Sequence, residues 1–333
     1  MNRKYVSIGI ISVILVGSLG VAIYWTTSTS SITLTEIGQI DTGGSADFVE
    51  VVGDIAYVLD NNEGSPGGLV LIDVSDPSNP VELSSWTDGG YPFQLDVAGN
   101  FVYVADGFEG LEIINVTDPE NPSELYQYEG SGEIYDVQIV DDIAYVADWN
   151  WGLLVLNVSD PASPDLLASK SITGACLHVY VEGNLVYATD HRNEQTGLVI
   201  YDITDPANPL LVGDYLPDYD IWDPIALGDY VYTCNHALDG VDVLILNATI
   251  PNDIQEVCQI NSGGITFSIA VIDDVAYMAD YQLGLVIVDV SDLTAPTLMG
   301  IYYDGGNSKD VCVVGDLIYV ADGADGLEII QIT

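Results

Sequence analysis

The hydrophobic pattern of this chain repeats as pairs of short apolar runs separated by tight turns. Residues 103–122 read YVADGFEGLEIINVTDPENP, which is two apolar runs joined by a Gly-containing turn and followed by a turn fixed by proline. The pattern returns as YVADWNWGLLVLNVSDPASP at 145–164 and as YMADYQLGLVIVDVSDLTAP at 277–296. Short apolar runs bounded by turn residues are typical of buried β-strands. The sequence therefore predicts an all-β protein built from copies of one unit.

The spacing of one tyrosine gives the period of the repeat. It recurs as Tyr57, Tyr103, Tyr145, Tyr187, Tyr232, Tyr277 and Tyr319. The successive intervals are 46, 42, 42, 45, 45 and 42 residues. A period in the low forties with about four strands per copy is typical of propeller blades, not of helical solenoids. Seven copies predict a seven-bladed β-propeller.

The two ends of the repeat region are predicted to complete one blade together. The seventh copy stops at GLEIIQIT, residues 326–333, and has no outer strand. Near the other end, LTEIGQIDTGG at 34–44 aligns with PTLMGIYYDGG at 296–306. The N-terminal segment is therefore predicted to supply the missing strand of the last blade. Such closure pairs both edges of the ring and leaves no open strand.

A resemblance to a known family follows from these repeats. Residues 285–289 spell LVIVD, and the chain resembles the LVIVD-repeat proteins over all seven copies, from about residue 34 to the end. The resemblance implies a β-propeller of bacterial or archaeal surface proteins, a family without a common established activity. Copy five, YTCNHALDGVDVLILNATIPN at 232–252, departs most because it lacks the Asp-Pro turn.

The N-terminal segment predicts a membrane anchor. Arg3 and Lys4 precede the 21 residues 5–25, whose polar members apart from the terminal aromatic residues are three serines. At about 1.5 Å per residue, a helix of this length reaches roughly 31 Å, enough to cross a bilayer. Positive charges stay on the cytoplasmic side, so the rest of the chain is predicted to lie on the extracytoplasmic side. The predicted parts are a cytoplasmic tip with a transmembrane signal-anchor at 1–25, a Ser/Thr tether at 26–33 and the propeller at 34–333.

Composition narrows the class of partner. The chain has 51 acidic and 5 basic residues, a formal charge of -46, 48% hydrophobic residues and a mean hydropathy of +0.29. The apolar content is sufficient for a large core, while the negative field repels phosphate backbones and anionic lipid headgroups. Nucleic acid is therefore excluded as a partner. The four cysteines fall on different strands of the repeat and are predicted to be free thiols.

The loops of the repeat divide between two ends of the propeller. One end carries the nearly constant Asp-Pro turns, whose aspartates are interpreted as turn caps. The other end carries loops that differ from copy to copy, including WNWG at 149–152, HRNEQTG at 191–197, HALDG at 236–240 and PDYDIWDP at 217–224. Variable loops on a constant scaffold are where binding residues are usually found. We call this end the variable face and predict function there.

Aromatic, histidine and acidic residues of the variable face are the binding candidates. They are Asp136, Trp149, Trp151, His178, His191, Trp222 and His236. Exposed aromatic rings beside carboxylates suit a protein or surface polysaccharide as partner. Asp136, His178 and Asp223 are predicted to be neighbours on three successive inner strands. Such a group suits a transition metal or acid-base chemistry, but it is also compatible with simple hydrogen bonding between blades.

A second candidate site lies in the loop at 217–224. Asp218, Asp220 and Asp223 offer hard oxygen ligands for Ca²⁺ or another divalent cation, although the glycine and glutamate of an EF-hand loop are absent. No other cofactor is predicted, and the sequence has no HExxH, GxSxG, CxxC or phosphate-binding Gly-rich motif.

Three functions remain open: a membrane-anchored surface propeller that binds a protein or glycan, an extracytoplasmic metal-assisted hydrolase or lyase using the Asp136, His178 and Asp223 group, and a structural component of the cell envelope.

Overall fold

The structure is a computed structural model, and it consists of strands joined by turns. It describes residues 22–23, 32–61, 67–87, 89–130, 133–192, 195–217, 220–235 and 241–333. Within these ranges the chain forms 29 strands and no helix. The strands assemble into seven antiparallel four-stranded sheets, one of which carries an additional two-residue strand. The predicted seven-bladed β-propeller is confirmed.

The strands follow the chain in blade order, after β1 (Ala22–Ile23) and β2 (Leu34–Ile40). Blade one contains β3 (Ser45–Val52), β4 (Ile55–Asn61), β5 (Gly68–Asp73) and β6 (Val81–Trp86), and blade two contains β7 (Gln94–Ala98), β8 (Phe101–Ala105), β9 (Leu111–Asn115) and β10 (Ser123–Tyr128). Blade three contains β11 (Ile134–Val140), β12 (Ile143–Asp148), β13 (Gly152–Asn157) and β14 (Asp165–Lys170), and blade four contains β15 (Val179–Glu182), β16 (Leu185–Arg192), β17 (Gln195–Asp202) and β18 (Leu210–Tyr215). Blade five contains β19 (Trp222–Leu227), β20 (Tyr230–Cys234), β21 (Val243–Asn247) and β22 (Gln255–Ile260), and blade six contains β23 (Thr266–Ile272), β24 (Val275–Asp280), β25 (Gly284–Asp289) and β26 (Thr297–Tyr302). Blade seven contains β27 (Asp310–Val314), β28 (Leu317–Ala321) and β29 (Leu327–Ile332), completed by β2.

The middle strands of each blade are mostly apolar because both of their faces are covered. In β13, Leu153, Leu154, Val155 and Leu156 are all 0% exposed. The outer strand β14 is largely exposed or half-buried, since only one of its neighbours is a strand. Continuous apolar runs are the pattern expected of strands packed between two layers, here the neighbouring blades. The core is therefore a set of layers between blades and not one central cluster.

One apolar cluster fills each junction between neighbouring blades. Between blades two and three, for example, Ala105 and Ile113 pack with Val137 and Val146. The last junction joins Tyr319 and its neighbours in blade seven to blade one. The inner strands likewise contact one another in succession, and β27 of blade seven contacts β3 of blade one. The seven blades thus form a closed ring with the first strand of each blade at its centre.

The Asp-Pro turns have the capping role predicted for them. In blade three the backbone N–H of Ser163 donates to the carbonyl of Asp160 at 2.9 Å, and the Asp160 carboxylate accepts the N–H of Ala162 at 3.2 Å. In blade five, Ile250 stands at the position of Asp160. The same backbone turn still forms there, because the backbone N–H of Asp253 donates to the carbonyl of Ile250 at 2.8 Å. The turn therefore depends on backbone geometry, and the aspartate supplies an extra acceptor.

The N-terminal strand closes blade seven as predicted. β2 pairs antiparallel with β29, with Leu34 opposite Ile332, and Thr33 and Thr333 exchange two backbone hydrogen bonds of 2.8 and 3.0 Å. A bulge at Gly38 interrupts the pairing, and a Cβ atom there would lie 2.1 Å from the carbonyl oxygen of Pro77. Glycine is therefore required where the closing strand passes the turn of blade one.

The predicted transmembrane helix is not confirmed. Most of the predicted span, residues 1–21 and 24–25, lies outside the described residues, and so does nearly all of the predicted tether. The strand β1 runs parallel to β22 of blade five. The described ranges contain no apolar helix of the length needed to cross a membrane. The four cysteines are free thiols, with Cys312 less buried than the other three.

Candidate functional site

The variable face is assembled where each blade begins. In blade three, Ile134 at the start of β11 lies opposite Asp148 at the end of β12, and the backbone N–H of Trp149 donates to the carbonyl of Glu133 at 2.9 Å. The loop after the second strand is thereby tied to the connection from the preceding blade. The Asp-Pro turns occupy the other end, since Val158 donates to the carbonyl of Asp142 in the first hairpin turn. The predicted separation of the two ends is confirmed.

Seven side-chain rings of the variable face form one continuous series, which we call the aromatic band. In order of contact they are Tyr91, Phe93, Tyr135, Trp149, His191, Trp222 and His178. The band crosses blades two to five. Four of its members, His178, His191, Trp149 and Trp222, are residues that the sequence predicted as binding candidates.

Ring spacing within the band is that of packed aromatic groups. The centroids of Phe93 and Tyr135 lie 4.5 Å apart with stacked planes, and those of Tyr135 and Trp149 lie 5.5 Å apart. His191 bridges Trp149 and Trp222, with 6.3 Å to each. Such pairs attract through their quadrupoles at separations of about 4.5–7 Å. Two members of the band are nonetheless open to solvent: Tyr91 is 53% exposed and Trp149 is 37% exposed.

Buried polar groups beneath the band hold its central members in place. The carboxylate of Asp148 is 0% exposed and accepts the N–H groups of Asn150 and Trp151 at 2.9 and 2.8 Å, which fixes the loop that carries Trp149. His191 is held by a backbone pair with Ala175 and by a 2.7 Å contact between its Nδ1 and the hydroxyl of Thr196. The rings are therefore presented from a rigid support.

A backbone irregularity places Trp222 in the band. The register between β19 and β20 shifts between Trp222 and Ile225, and Asp223 has φ 44°, in the left-handed region. For a residue other than glycine this conformation costs on the order of 1–2 kcal/mol, although aspartate tolerates it better than most residues. The Trp222 ring meets His178 edge-on with a centroid distance of 5.8 Å. Local strain of this kind is concentrated at functional sites.

The inner strands carry a second feature, a ring of acidic side chains that link successive blades. Each accepts a backbone N–H from the inner strand or hairpin of the next blade: Asp310 from Val49, Glu50 from Val97, Asp96 from Ile139, Asp136 from Val179 and Glu182 from Gly228. We call these five residues the central ladder. Of these five, only Asp136 was predicted as a site residue. The available signal was the acidic residue on the inner strand of otherwise apolar copies, in FVEVV, QLDVA and VYVEG.

Burial shifts the proton affinity of the central ladder. It raises the pKa of Glu50 to about 8, with a further rise from the neighbouring Asp96 carboxylate. It raises the pKa of Asp136 to about 7 and also raises those of Asp96 and Asp310. The physical cause is that a carboxylate loses hydration when it is buried, so its neutral form is favoured. Part of the central ladder is therefore protonated near neutral pH.

The predicted neighbours Asp136, His178 and Asp223 do lie close together. Nδ1 of His178 is 3.9 Å from a carboxylate oxygen of Asp136, an ion-pair distance when the histidine is protonated. Burial raises the pKa of Asp223 well above its usual range, with added repulsion from Asp310 and Asp136. Asp136 also accepts the N–H of Val179 at 2.8 Å. The group thus takes part in hydrogen bonding between blades, which was the alternative interpretation, and it retains a histidine-carboxylate pair.

The remaining predicted site residues are not among the seven members of the aromatic band, and two of them lie outside the part of the chain that the structure describes. His236 and Asp218 lie outside the described residues. Asp220 accepts the backbone N–H of Thr196 at 2.9 Å and so fixes the loop of blade four, while Asp223 belongs to the group at the centre of the ring. Trp151 is 42% exposed, and the ring contacts between described residues do not include it. The predicted cation site of Asp218, Asp220 and Asp223 stays a prediction.

Comparison with known proteins identifies the family. A family model described as LVIVD repeat matches residues 43–88, 89–129, 131–170, 173–216, 263–304 and 305–333. The chain belongs to the LVIVD repeat family. The stretch between the fourth and fifth matches corresponds to blade five, the copy that departs most from the repeat. A search of curated proteins found no match to this LVIVD propeller.

Solved structures with little sequence identity share the fold of the LVIVD propeller. Kuenenia stuttgartiensis hydrazine synthase has a TM-score of 0.73 at 13% identity, with 88% of this chain and 97% of that chain covered. The U3-55K structure has a TM-score of 0.68 at 10% identity, with coverage of 90% and 98%. The computationally designed Ika8 protein has a TM-score of 0.63 at 10% identity, with coverage of 90% and 99%. At these identities the similarity concerns the fold alone.

Proposed function

We propose that this LVIVD propeller is a membrane-anchored binding module that docks a protein or glycan partner of the cell surface on its aromatic band. The observation that supports the proposal most directly is the continuity of the band from Tyr91 to His178 over four blades. Aromatic side chains contribute large contact areas at a low entropic cost, and Tyr, Trp and His also offer a polar atom. A row of them on rigid strands is suited to an elongated partner.

The charge of the chain restricts the chemistry of that partner. Because 51 acidic residues face 5 basic ones, an anionic polymer would be repelled at long range. The partner is therefore neutral or positively charged over the segment that meets the band. The apolar segment at residues 5–25 supports attachment to a membrane, with the propeller on the extracytoplasmic side.

Binding measurements with band variants test the proposal. The full-length chain in detergent is titrated with neutral surface polysaccharides and with cationic peptides, and the Kd is compared for wild type, Trp149→Ala and Trp222→Ala. Loss of a central aromatic contact is expected to weaken binding by at least about ten-fold. Phe108→Ala is the matched control, since Phe108 is 77% exposed in a loop of the same face and is not a member of the band. Equal affinities of Trp149→Ala, Trp222→Ala and wild type would refute the docking site.

The membrane topology has its own test. Protease added to intact cells is expected to degrade the propeller, whereas a small cytoplasmic protein serves as the protected control. Degradation only after lysis would place the propeller inside and overturn the surface location, without bearing on the aromatic band.

The pair of His178 and Asp136 supports a second candidate, an extracytoplasmic hydrolase or lyase. An acid with a pKa of about 7 beside a histidine is suited to proton transfer near neutral pH. Turnover of a surface polysaccharide that is lost in His178→Gln, with the folded state intact, would favour this candidate. Binding of the polysaccharide by wild type without any turnover would leave the binding module as the function.

A further inference from the structure

Three carboxylates meet inside blade seven, outside the aromatic band and the central ladder. Asp304 lies in the connection after β26, Asp322 follows β28, and Glu328 is on β29. One carboxylate oxygen from each lies within 4.8 Å of the others. Asp322 and Glu328 are 1% and 2% exposed, whereas Asp304 is half-buried. The cluster is thus deep on two sides and accessible on the third.

The connection from blade six is shaped to bring Asp304 to the other two. A Cβ atom on Gly306 would lie 1.6 Å from a carboxylate oxygen of Asp322, so glycine is needed for the connection to pass this close. The hydroxyl of Ser308 donates to Asp322 at 2.8 Å, and the N–H of Gly306 donates to Asp304 at 3.2 Å. Both aspartates are therefore oriented by the same short segment.

The Glu328 side chain is hydrogen-bonded to Asp304, but one of its two carboxylate oxygens has no partner within the described part of the chain. Its Oε1 atom is buried and accepts no hydrogen bond from the residues that the structure describes. In the same part of the chain, no lysine, arginine or histidine forms an ion pair with Glu328 or Asp322. Glu36, bonded to the Tyr302 hydroxyl at 2.9 Å, brings a further negative charge nearby. A buried carboxylate without a cationic partner is destabilising unless a proton or a cation neutralises it.

We propose that Asp304, Asp322 and Glu328 form a calcium-binding site in blade seven. Carboxylate oxygens are the hard ligands that Ca²⁺ prefers, and binding distances of about 2.3–2.6 Å allow ligand oxygens up to roughly 5 Å apart around one ion. The spacing of the cluster meets this limit. The buried carboxylate of Glu328 supplies a ligand atom inside the protein, and the accessible side at Asp304 admits the ion and its remaining water ligands.

The site has a structural consequence for the ring. Its ligands come from the connection to blade six, from the end of β28 and from β29, the strand to which β2 is paired. A bound ion would join these three segments at the blade where the two ends of the ring meet. Calcium is therefore expected to stabilise the closed propeller by an amount that grows with the logarithm of its concentration above the Kd.

Calcium titration of the full-length chain, freed of metal with a chelator and held in detergent at constant ionic strength, tests the site. Wild type is expected to bind Ca²⁺ saturably, with a Kd of about 10⁻³ M or tighter. Asp304→Asn and Glu328→Gln each remove one charged ligand and are expected to raise this Kd by at least about ten-fold. Asp280→Asn is the matched control, because Asp280 is the counterpart of Asp322 in blade six, where Val286 replaces the glutamate.

The titration also covers a second copy of the same spacing in blade two. Asp88, Asp106 and Glu112 are separated by 18 and 6 residues, as are Asp304, Asp322 and Glu328. Asp88 lies outside the described residues, so Glu112→Gln is included to assign any second equivalent of calcium. With Glu112→Gln as background, a calcium equivalent that Asp304→Asn or Glu328→Gln then weakens is assigned to blade seven.

Two results would overturn the proposal. One is calcium uptake that never saturates, as expected of a diffuse acidic surface. The other is a wild-type Kd retained in both Asp304→Asn and Glu328→Gln on the Glu112→Gln background. If Glu328→Gln fails to fold, Asp304→Asn decides, since its side chain is accessible and its change leaves the buried pair intact. A calcium-dependent rise in Tm that is present in wild type and Asp280→Asn but absent in Asp304→Asn would support the site.

Discussion

Replacing Glu50 by glutamine isolates the cost of one buried charge in the central ladder. Glu50 lies on β3 and accepts the N–H of Val97 at 3.1 Å. Burial, with a smaller contribution from Asp96, raises its pKa from 4.5 to about 8. Glutamine has nearly the same shape and keeps an oxygen for Val97, but it carries no charge at any pH. Glu50→Gln therefore removes the ionisation of this residue and leaves its hydrogen bond to blade two.

The size of the effect follows from the shift in pKa. A difference of about 3.5 units at about 1.4 kcal/mol per unit sets a ceiling of about 5 kcal/mol on the cost of ionising Glu50 in the folded state. Water reaching this half-buried side chain screens part of the cost, so we expect about 2 kcal/mol. With an unfolding entropy of about 2.1 cal/mol/K per residue over about 300 residues, this corresponds to a rise in Tm of about 3 °C.

The sign depends on which state holds the proton. Between about pH 4.5 and pH 8 the folded protein keeps a proton on Glu50 that the unfolded chain has released, so wild-type stability falls as the pH rises through this window. Above about pH 8 both states are ionised and the full cost applies. Below about pH 4.5 both states are protonated and the cost disappears. The advantage of Glu50→Gln is therefore expected at high pH and not at low pH.

Thermal unfolding at constant ionic strength measures this difference. Glu50→Gln is expected to melt about 3 °C above wild type at about pH 9 and within about 1 °C of it at about pH 5. Glu82→Gln, at an exposed position on the outer strand β6, is the control for general loss of negative charge. The reasoning is refuted if Glu50→Gln lowers Tm at about pH 9, or if its effect is the same at both pH values.

Two further predictions concern the ring as a whole. Deleting residues 33–41 removes β2 and exposes the edge of β29. The shortened chain is therefore expected to form soluble aggregates, which size-exclusion chromatography with light scattering detects. A monomer with the wild-type Tm would contradict closure by β2. Raising the NaCl concentration to about 1 M shortens the Debye length to about 3 Å. This is expected to raise Tm, because the 51 acidic residues then repel one another less. A Tm that does not change with NaCl concentration would argue against this repulsion.

Much of the fold was determined by local sequence. The alternation of apolar runs with tight turns is repeated seven times, and each of the first six copies contains what one four-stranded sheet needs. The alignment of residues 34–44 with 296–306 similarly predicted that β2 completes blade seven, which its pairing with β29 confirms. These features are predictable because strand periodicity and turn chemistry act between residues near in sequence. The variable face followed from the same topology.

Tertiary structure decided which side chains of different blades meet. Tyr91 and Trp222 are far apart in the chain and share one aromatic band only because the ring brings successive blades side by side. The aspartates that end the second strands of blades three and six, Asp148 and Asp280, cap the turns that follow them. Asp322 has the same place in blade seven but different surroundings. Glu328 on the neighbouring strand and Asp304 from the preceding connection lie beside it, so it belongs to a cluster of three carboxylates. Sequence sets the residue type at each position of a blade, whereas burial, charge neutralisation and ligand geometry depend on neighbours that only the closed ring supplies.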